Sequence, residues 1–414
     1  MPVAGLHLYT TAQRPHRFTG CGGLTQLATV MSHLQEPTPQ RLRIGEGTIS
    51  GNASIFLAVM AMAAVLCFHY PEYLTTPEFR ELYTGELMKT VLMAVIVASF
   101  LFATVSFLLS QQKKLAVTGI AIAAMAVVTG GFAVQPRAVE KTIWHVGLDW
   151  LLIDLLLLAV IFVPIEMAFP QNKRQSRFHA EWRTDLVYFT VSHLFVQFFG
   201  VITQAPAKLL FGWMGLAPFQ HWVQQLPFVA GFVLALFVTD LFQYMAHRLF
   251  HSHVYLWRFH SVHHSTQAMD WLAGSRTHFV DIFVTRSISF IPLYVCGFSS
   301  LTFNAYILFV SIHAVLIHAN TRINFGWVKY LLVTPQFHHW HHCEDPAHYG
   351  KNFAIHFPLI DRIFGTYYLP GKAWPEATGV REGSYPKGYW KQLKHPFTKS
   401  PFDNDLQMEE PSSR

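Results

Sequence analysis

Charged residues are scarce in this chain, and cysteines are few. Of its 414 residues, 13% are Asp, Glu, Lys or Arg, whereas 52% are hydrophobic. A soluble core of this size does not need so much apolar surface, so the composition favours a membrane protein over a soluble one. The four cysteines have no CxxC spacing, which argues against a disulfide framework and against a thiolate zinc site.

The sequence also lacks the motifs of several binding classes. No glycine-rich dinucleotide fingerprint follows a predicted strand, no HPGG haem element of the cytochrome b5 type is present, and no cysteine set could hold an iron–sulfur cluster. The net charge of +6 is spread over loops without a basic stripe, which fits anionic lipid headgroups better than nucleic acid. Residues 1–50 have no apolar h-region, so we expect a polar arm there rather than a signal peptide.

Apolar runs predict an all-α fold, a polytopic membrane bundle with a histidine-rich helical cap at its cytosolic face. Most runs are long, largely uncharged and ended by charge or proline, as membrane-spanning helices are. The last run is broken by Pro292, Gly297 and the Ser299-Ser300 pair and indicates a helical hairpin or two re-entrant halves. The runs cover residues 54–69, 88–109, 115–135, 147–169, 186–203, 227–246 and 287–319.

Histidine is concentrated in three short clusters beside these runs. An even spread of 24 histidines over 414 residues would place about one in any 18 residues, yet residues 247–264 hold six. Because imidazole is the commonest protein ligand of metals, the clusters predict a metal site. They read His247-Arg-Leu-Phe-His251, His260-Ser-Val-His263-His264 and His338-His339-Trp340-His341-His342.

Helical spacing places the ligands of each cluster on one face. Residues three and four apart are neighbours on a helix, so the second and third clusters each present three nitrogens, and His247 and His251 can share a metal. Eight imidazoles exceed what one metal takes, which makes two metals the economical solution. Asp240 lies on the same stripe as His247, and we expect it to accept a hydrogen bond that fixes a ring tautomer. Imidazoles suit iron or zinc and do not by themselves choose between them.

Two histidines near the clusters fit the spacing less well. His339 lies inside the third cluster but off its HxxHH pattern, and His253 matches no cluster, so we expect packing or surface roles for both. A lone histidine in an apolar run is usually a hydrogen-bonded core group, and this is the alternative to metal ligation for histidines outside the clusters.

Loop charge predicts the orientation in the membrane. Loops 111–114 and 171–177 are basic and the connection 72–86 is mostly acidic, so the positive-inside rule puts the basic loops in the cytoplasm. Counted from Arg177, two crossings return the chain to the cytoplasm at His247, and a further pair precedes His338. All three clusters then share one face. An odd number of crossings between the second and third clusters would make a shared site impossible.

The order of the clusters resembles the fatty acid hydroxylase and sterol desaturase superfamily. Asp240 precedes Ala246-His247-Arg248, and Trp257-Arg-Phe-His260 leads the second cluster. Tyr349-Gly350 and Asp361-Arg-Ile-Phe-Gly365-Thr366 follow the third. The similarity covers about residues 181–369. It implies an integral membrane enzyme with a histidine-bound di-iron centre at the cytosolic face, which uses O2 and reductant to hydroxylate or desaturate a lipid.

The resemblance implies a metal site of ten ligands. His318 in His318-Ala-Asn320 resembles the family's HxN or HxG element, and His278 in Arg276-Thr-His278-Phe-Val-Asp281 resembles its HPxE/D element, with Phe279 in place of the proline. No further catalytic residue is expected, because the metals perform the hard chemistry. The expected ligands are His247, His251, His260, His263, His264, His278, His318, His338, His341 and His342.

We expect four segments: a polar arm at 1–50, an N-terminal transmembrane bundle at 51–170, a catalytic domain similar to that superfamily at 171–370, and a polar tail at 371–414. The chain contains no reductant site, so electrons must come from a separate donor of the cytochrome b5 or ferredoxin type.

Two other function classes stay open beside the lipid hydroxylase or desaturase. One is a histidine-rich metal transporter, whose ligands should lie near the membrane midplane on discontinuous helices. The other is a catalytically silent metal-binding membrane protein. The residues specify neither the lipid nor the choice between hydroxylation and desaturation.

Overall fold

The computed structural model describes residues 46–76, 85–111, 113–133, 145–380 and 385–398. This part of the chain is all-α and contains no strand, which confirms the predicted fold class. The first 45 residues of the predicted arm lie outside it. Its helices are α1 Thr48–His69, α2 Pro71–Leu74, α3 Gly85–Leu109, α4 Lys114–Val128, α5 Leu148–Ala168, α6 Trp182–Leu194, α7 Val196–Phe211, α8 Ala217–Gln224, α9 Phe228–Ser252, α10 Val254–His264, α11 Phe279–Cys296, α12 Ser300–His318, α13 Pro335–His341, α14 Pro358–Ile363 and α15 Tyr389–Lys394.

Six of these helices are long and apolar enough to cross a membrane: α1, α3, α5, α9, α11 and α12. The protein is an integral, multi-pass membrane protein. The span predicted at 115–135 is not among the six. Its helix α4 has 15 residues and ends at Val128, whereas a hydrocarbon layer of about 30 Å needs about 20 residues.

The run predicted at 186–203 is not one continuous helix. The structure has two helices there, α6 and α7, which are bent by 61° and form either a broken span or a re-entrant loop. Helix α6 ends where the Leu194 carbonyl accepts a hydrogen bond from the Gly147 amide, at the start of α5, at 3.0 Å. That carbonyl is directed at another segment, and Phe195 leaves the helical conformation.

Helices α11 and α12 form the predicted hairpin between the second and third histidine clusters. Pro292 lies within α11, so the break falls at residues 297–299, where Ser299 caps α12; α11 begins earlier than expected, at Phe279. Because two spans separate α10 from α13, the crossing number between these clusters is even, as a shared site requires.

Residues beyond 370 cover the histidine-bearing helices. The Trp340 indole donates to the Ala373 carbonyl at 3.1 Å, and the Tyr385 hydroxyl contacts the Ser261 hydroxyl at 3.1 Å. The Gly388 amide donates to Glu181 at 3.1 Å. The predicted tail therefore packs on α6, α10 and α13 as far as it is described.

Gly297 closes the hairpin in a conformation that other residues rarely adopt. Its φ is 58°, and its amide caps α11 by donating to the Leu293 carbonyl. A Cβ at this position would come within 2.6 Å of Gln220 Cγ. Gln220 in turn donates to the Tyr294 carbonyl at 2.9 Å, so the tight turn lets α8 dock on the hairpin.

We predict that Gly297→Ala lowers the melting temperature of the purified protein more than Gly215→Ala does. Both glycines have a left-handed backbone conformation, which costs an alanine about 1–2 kcal/mol. The space that a Cβ would take at Gly215 is open. Gly297→Ala also displaces Gln220 and its hydrogen bond, worth about another 0.5–1.5 kcal/mol. Equal melting temperatures for the two variants would contradict the packing argument.

Candidate metal centre

Nine histidines meet in two groups at the ends of α9, α10, α12 and α13. Within each group the candidate ligand nitrogens all lie within 4.8 Å of one another. Eight of the nine side chains are buried, and His251 is half-buried. Group A consists of His247, His251, His260, His264 and His341, and group B of His263, His318, His338 and His342.

Neighbouring residues are divided between the two groups. His263 and His264 are adjacent in α10, yet the first belongs to group B and the second to group A; His342 and His341 divide in the same way. Successive helical residues point about 100° apart at 3.6 residues per turn. One turn of α10 and one turn of α13 therefore serve both groups, which lie side by side.

Hydrogen bonds fix the tautomer of five of the nine rings. In each, Nδ1 faces an oxygen that can only accept, so Nδ1 carries the proton and Nε2 keeps its lone pair. The pairs are His247 with the Phe353 carbonyl (2.7 Å), His260 with Asp281 Oδ2 (2.7 Å), His263 with the Arg276 carbonyl (3.2 Å), His318 with the Ala314 carbonyl (2.7 Å) and His341 with the Lys351 carbonyl (2.8 Å).

These tautomers bring lone pairs face to face. Nε2 of His247 lies 3.0 Å from Nε2 of His260, and Nε2 of His263 lies 3.3 Å from Nε2 of His318. Two acceptors at this distance repel unless a cation lies between them. Two nitrogens each about 2.1 Å from one metal ion lie roughly 3.0–3.4 Å apart at angles of 90–110°. The spacing within each group fits a shared metal.

Further ring nitrogens have no hydrogen-bond partner within the described part of the chain. In group A these are Nε2 of His251, His264 and His341. An orphaned buried nitrogen costs free energy unless something binds it. In group B, Nε2 of His338 lies 3.0 Å from Nε2 of His318 and 3.1 Å from Nε2 of His342. The donor set and its unmet nitrogens therefore fit metal binding in both groups.

Burial keeps the rings uncharged. It lowers the pKa of His341 to about 3 and holds the pKa values of His263, His264, His338 and His342 well below the ordinary histidine value, because desolvation disfavours the charged form and neighbouring imidazoles add repulsion. A neutral imidazole is the ligating form. These rings need no deprotonation to bind a metal near neutral pH.

Asp281 holds the His260 ring, a role that sequence reasoning did not assign. Its Oδ2 accepts from His260 Nδ1 at 2.7 Å, and its Oδ1 accepts from the Thr285 hydroxyl at 2.8 Å. Such carboxylate–histidine pairs orient a ligand and raise its basicity. Asp281 was the acidic residue of the quoted HPxE/D-like element, so the signal was present in the sequence.

The role expected of Asp240 is corrected by the structure. Its carboxylate contacts no imidazole; it accepts the backbone amides of Ile355, His356 and Phe357 at 2.7–3.0 Å. Asp361 accepts the amides of Phe353 and Ala354 in the same way. Both carboxylates therefore fix segment 353–357, whose first carbonyl holds His247, and Asp240 acts on the centre through the backbone.

His278 is the expected ligand that the structure does not bring to either group. Its Nδ1 accepts the Val280 amide at 3.1 Å, and its Nε2 donates to the Leu393 carbonyl at 3.1 Å. Both nitrogens are thus engaged by backbone, and the side chain caps α11. We correct its role to helix capping, which leaves nine candidate ligands. His253 and His339, expected to lie outside the ligand set, belong to neither group.

A buried ion pair supports the loop between α10 and α11. Arg276, 2% exposed, donates to Asp185 at 2.5 Å, and its own carbonyl accepts from His263. Asp185, His179 and Asp270 also lie close enough together to hold a cation, but the Arg276 guanidinium already supplies positive charge there. In the same loop, a Cβ on Gly274 would lie 2.8 Å from His318 Nδ1, so glycine makes room for that ring.

A cavity of about 420 Å³ adjoins the centre. Helices α9, α11 and α12 form most of its wall, each through a continuous stripe of residues. On α11 and α12 the apolar part of the wall includes Ile282, Phe290, Leu293, Ile307 and Val310, and a polar stripe of α11 lies beside it. The residues of the two groups that line it are His247, His260, His263, His318 and His338.

We predict that Asp281→Leu lowers the metal affinity of the purified protein about 10- to 100-fold, because His260 loses the acceptor that orients it. Metal content by mass spectrometry against chelator concentration is the measurement. Asp345→Asn is the matched control, since Asp345 is an exposed carboxylate outside both groups. Equal chelator resistance in the two variants would refute the role of Asp281.

His278 and His318 give a second contrast. We predict that His318→Asn loses bound metal, because group B loses one nitrogen and the shared contacts with His263 and His338. His278→Asn keeps its metal, because asparagine also caps helices. Metal loss in His278→Asn with an unchanged melting temperature would restore His278 as a ligand.

Comparison with known proteins agrees with this geometry. A family model described as fatty acid hydroxylase matches residues 232–366, which include all nine histidines and Asp281. An ornithine lipid hydroxylase of Rhizobium tropici is 32% identical over 178 residues, 43% of this chain and 54% of its own length. An alkylglycerol monooxygenase of Xenopus tropicalis is 28% identical over 170 residues, 41% of this chain and 34% of its own length.

A very-long-chain aldehyde decarbonylase of Oryza sativa subsp. indica is 26% identical over 139 residues, which are 31% of this chain and 22% of that protein. This chain thus spans about half the length of the first of these relatives and less of the other two. No solved structure matches it. Residues 232–366, which contain both histidine groups, therefore match the fatty acid hydroxylase family.

Proposed function

We propose that this protein is a membrane oxidoreductase that holds two iron ions and uses O2 and external electrons to hydroxylate or desaturate a lipid. The observation that carries the proposal is the pair of imidazole groups with their lone pairs directed inward, beside an apolar cavity within the membrane helices. A lipid chain in that cavity would reach the metals along the apolar part of its wall.

The residues of this chain would bind the two irons, orient the ligand rings and exclude water from the centre. Group A would hold one iron and group B the other, with Asp281 and the carbonyls of Phe353, Lys351 and Arg276 holding the ring protons. Bound iron supplies the redox chemistry with O2 that no protein side chain provides. Burial of the centre excludes bulk water from the reacting position.

Iron is proposed over zinc because the reaction class requires a redox metal. Imidazole ligands alone suit both metals. The relatives named ornithine lipid hydroxylase and alkylglycerol monooxygenase support oxidation of a lipid. Another relative is named an aldehyde decarbonylase, so similarity alone does not fix the reaction. We therefore propose lipid oxidation and leave the outcome, alcohol or alkene, to product analysis.

We further propose that the centre lies at the cytoplasmic face. The basic loop 171–177 packs beside the residues that follow His318: the Asn172 amide donates to Asn320 Oδ1 at 2.8 Å. Gln175 of the same loop donates to the Met269 carbonyl at 2.8 Å. The basic loop and the histidine groups thus lie at the same end of the bundle, and the basic charge of this loop supports a cytoplasmic location for that end. A separate donor of the cytochrome b5 or ferredoxin type would deliver electrons there.

We predict that the purified full-length protein holds about two irons per chain and consumes O2 only with a reductant and a lipid extract. His263→Ala should lose metal from group B and abolish lipid oxidation, whereas Asp345→Asn should behave as wild type. The measurements are elemental analysis, oxygen uptake and mass spectrometry of the lipids. Metal uptake into vesicles without lipid oxidation would favour a transporter, and iron content unaffected by His263→Ala would overturn the site assignment.

A further inference from the structure

Arg286 is a cation within a membrane-spanning helix. It lies in the middle of α11, whose 18 residues form one of the six candidate spans. Ionisable side chains at such positions are costly and, where they occur, generally face a cavity or a partner. The side chain of Arg286 is exposed and lines the cavity beside the histidine groups.

No side chain within the described ranges neutralises Arg286. It forms no ion pair and no hydrogen bond there, and the ionisable group that faces it is the phenol of Tyr306 on α12. Two carboxylates line the same cavity, but each is engaged elsewhere. Asp240 accepts three backbone amides, and Asp281 accepts from His260 and Thr285.

The position of Arg286 relative to the centre is set by α11. Asp281, Thr285 and Ser289 follow one another at four-residue intervals along the cavity wall, and Arg286 lies beside them. Five residues of helix separate Arg286 from Asp281, a rise of about 7.5 Å. Asp281 holds the His260 ring, so a group bound by Arg286 would lie deeper in the bundle than the histidine groups, about two helical turns or less from the residue that orients His260.

We propose that Arg286 binds the anionic group, a carboxylate or a phosphate, of an amphiphilic lipid substrate. This rests on the proposed function and names its substrate class. Guanidinium pairs with both anions through two parallel hydrogen bonds, and a low-dielectric cavity strengthens such a pair. Gln243 and Ser289, which hydrogen-bond each other at 2.7 Å on the same wall, supply polar contacts beside it.

The geometry also restricts which carbon reacts. With the anionic group fixed about one and a half helical turns from the residue that orients His260, the carbons that reach the metals lie close to that group along the molecule. A neutral lipid of equal chain length has no such anchor. Binding should therefore discriminate by charge, and oxidation should fall near the charged end.

The test is equilibrium binding of radiolabelled palmitate to the metal-loaded, full-length protein in nanodiscs of neutral lipid. Competitors are hexadecyl phosphate, hexadecanol, acetate and inorganic phosphate. We expect palmitate or hexadecyl phosphate to bind more tightly than hexadecanol, and the tighter of the two identifies carboxylate or phosphate as the natural group. Arg286→Gln should weaken the anionic probe roughly 10- to 100-fold and leave hexadecanol unchanged. Arg286→Lys should weaken binding of the anionic probe less than Arg286→Gln does.

Arg322→Gln is the matched control, because Arg322 is exposed and lies outside the cavity. Wild-type binding of hexadecanol as tight as that of both palmitate and hexadecyl phosphate would overturn the proposal without any variant. Acetate or inorganic phosphate competing as well as the long-chain anions would exclude a lipid. Charge-selective binding that depends on Arg286, without lipid oxidation, would refute the proposed function and keep the anion site. Lipid oxidation with unchanged anion binding in Arg286→Gln would refute the anion site and keep the proposed function.

Discussion

The arrangement of the centre depends on which nitrogen of each imidazole carries the proton. Backbone carbonyls and one carboxylate take the Nδ1 proton of five rings, so the Nε2 lone pairs are directed inward. The segment that carries the Phe353 carbonyl is held by hydrogen bonds from its amides to Asp361 and Asp240. The residue that carries the Arg276 carbonyl is held by its buried ion pair with Asp185. Residues far from any metal thereby determine whether the rings can bind one.

Helical spacing was enough to predict the local part of this site. The second and third clusters each lie within about one helical turn, and the structure brings all eight cluster histidines together with His318. His278 and Asp281 lie three residues apart at the start of α11, and only the fold decides that the first meets the Leu393 carbonyl and the second meets His260. No periodicity encodes which loop amide or carbonyl meets a given side chain, so the backbone partners of Asp240 could not be predicted, whereas the HPxE/D-like element already pointed to Asp281.

Hydropathy predicted the number and position of most spans but not where each helix stops. The helix predicted to continue through 186–203 is interrupted because the Leu194 carbonyl bonds to a distant amide. At the end of α4, the Thr129 hydroxyl donates to the Met125 carbonyl, a local contact that averaged apolarity does not show. The same averaging conceals Arg286, because one cation among many apolar residues barely changes the mean.

Groups A and B draw on residues from both sides of the α11–α12 hairpin. His264 precedes the two spans and His342 follows them, while α10 and α13 each contribute to both groups. Neither group can be completed until the hairpin has entered the membrane and the chain has been synthesised past His342. A metal ion that requires all the ligands of either group could therefore bind only after the hairpin has inserted, and it would then link the segments on its two sides.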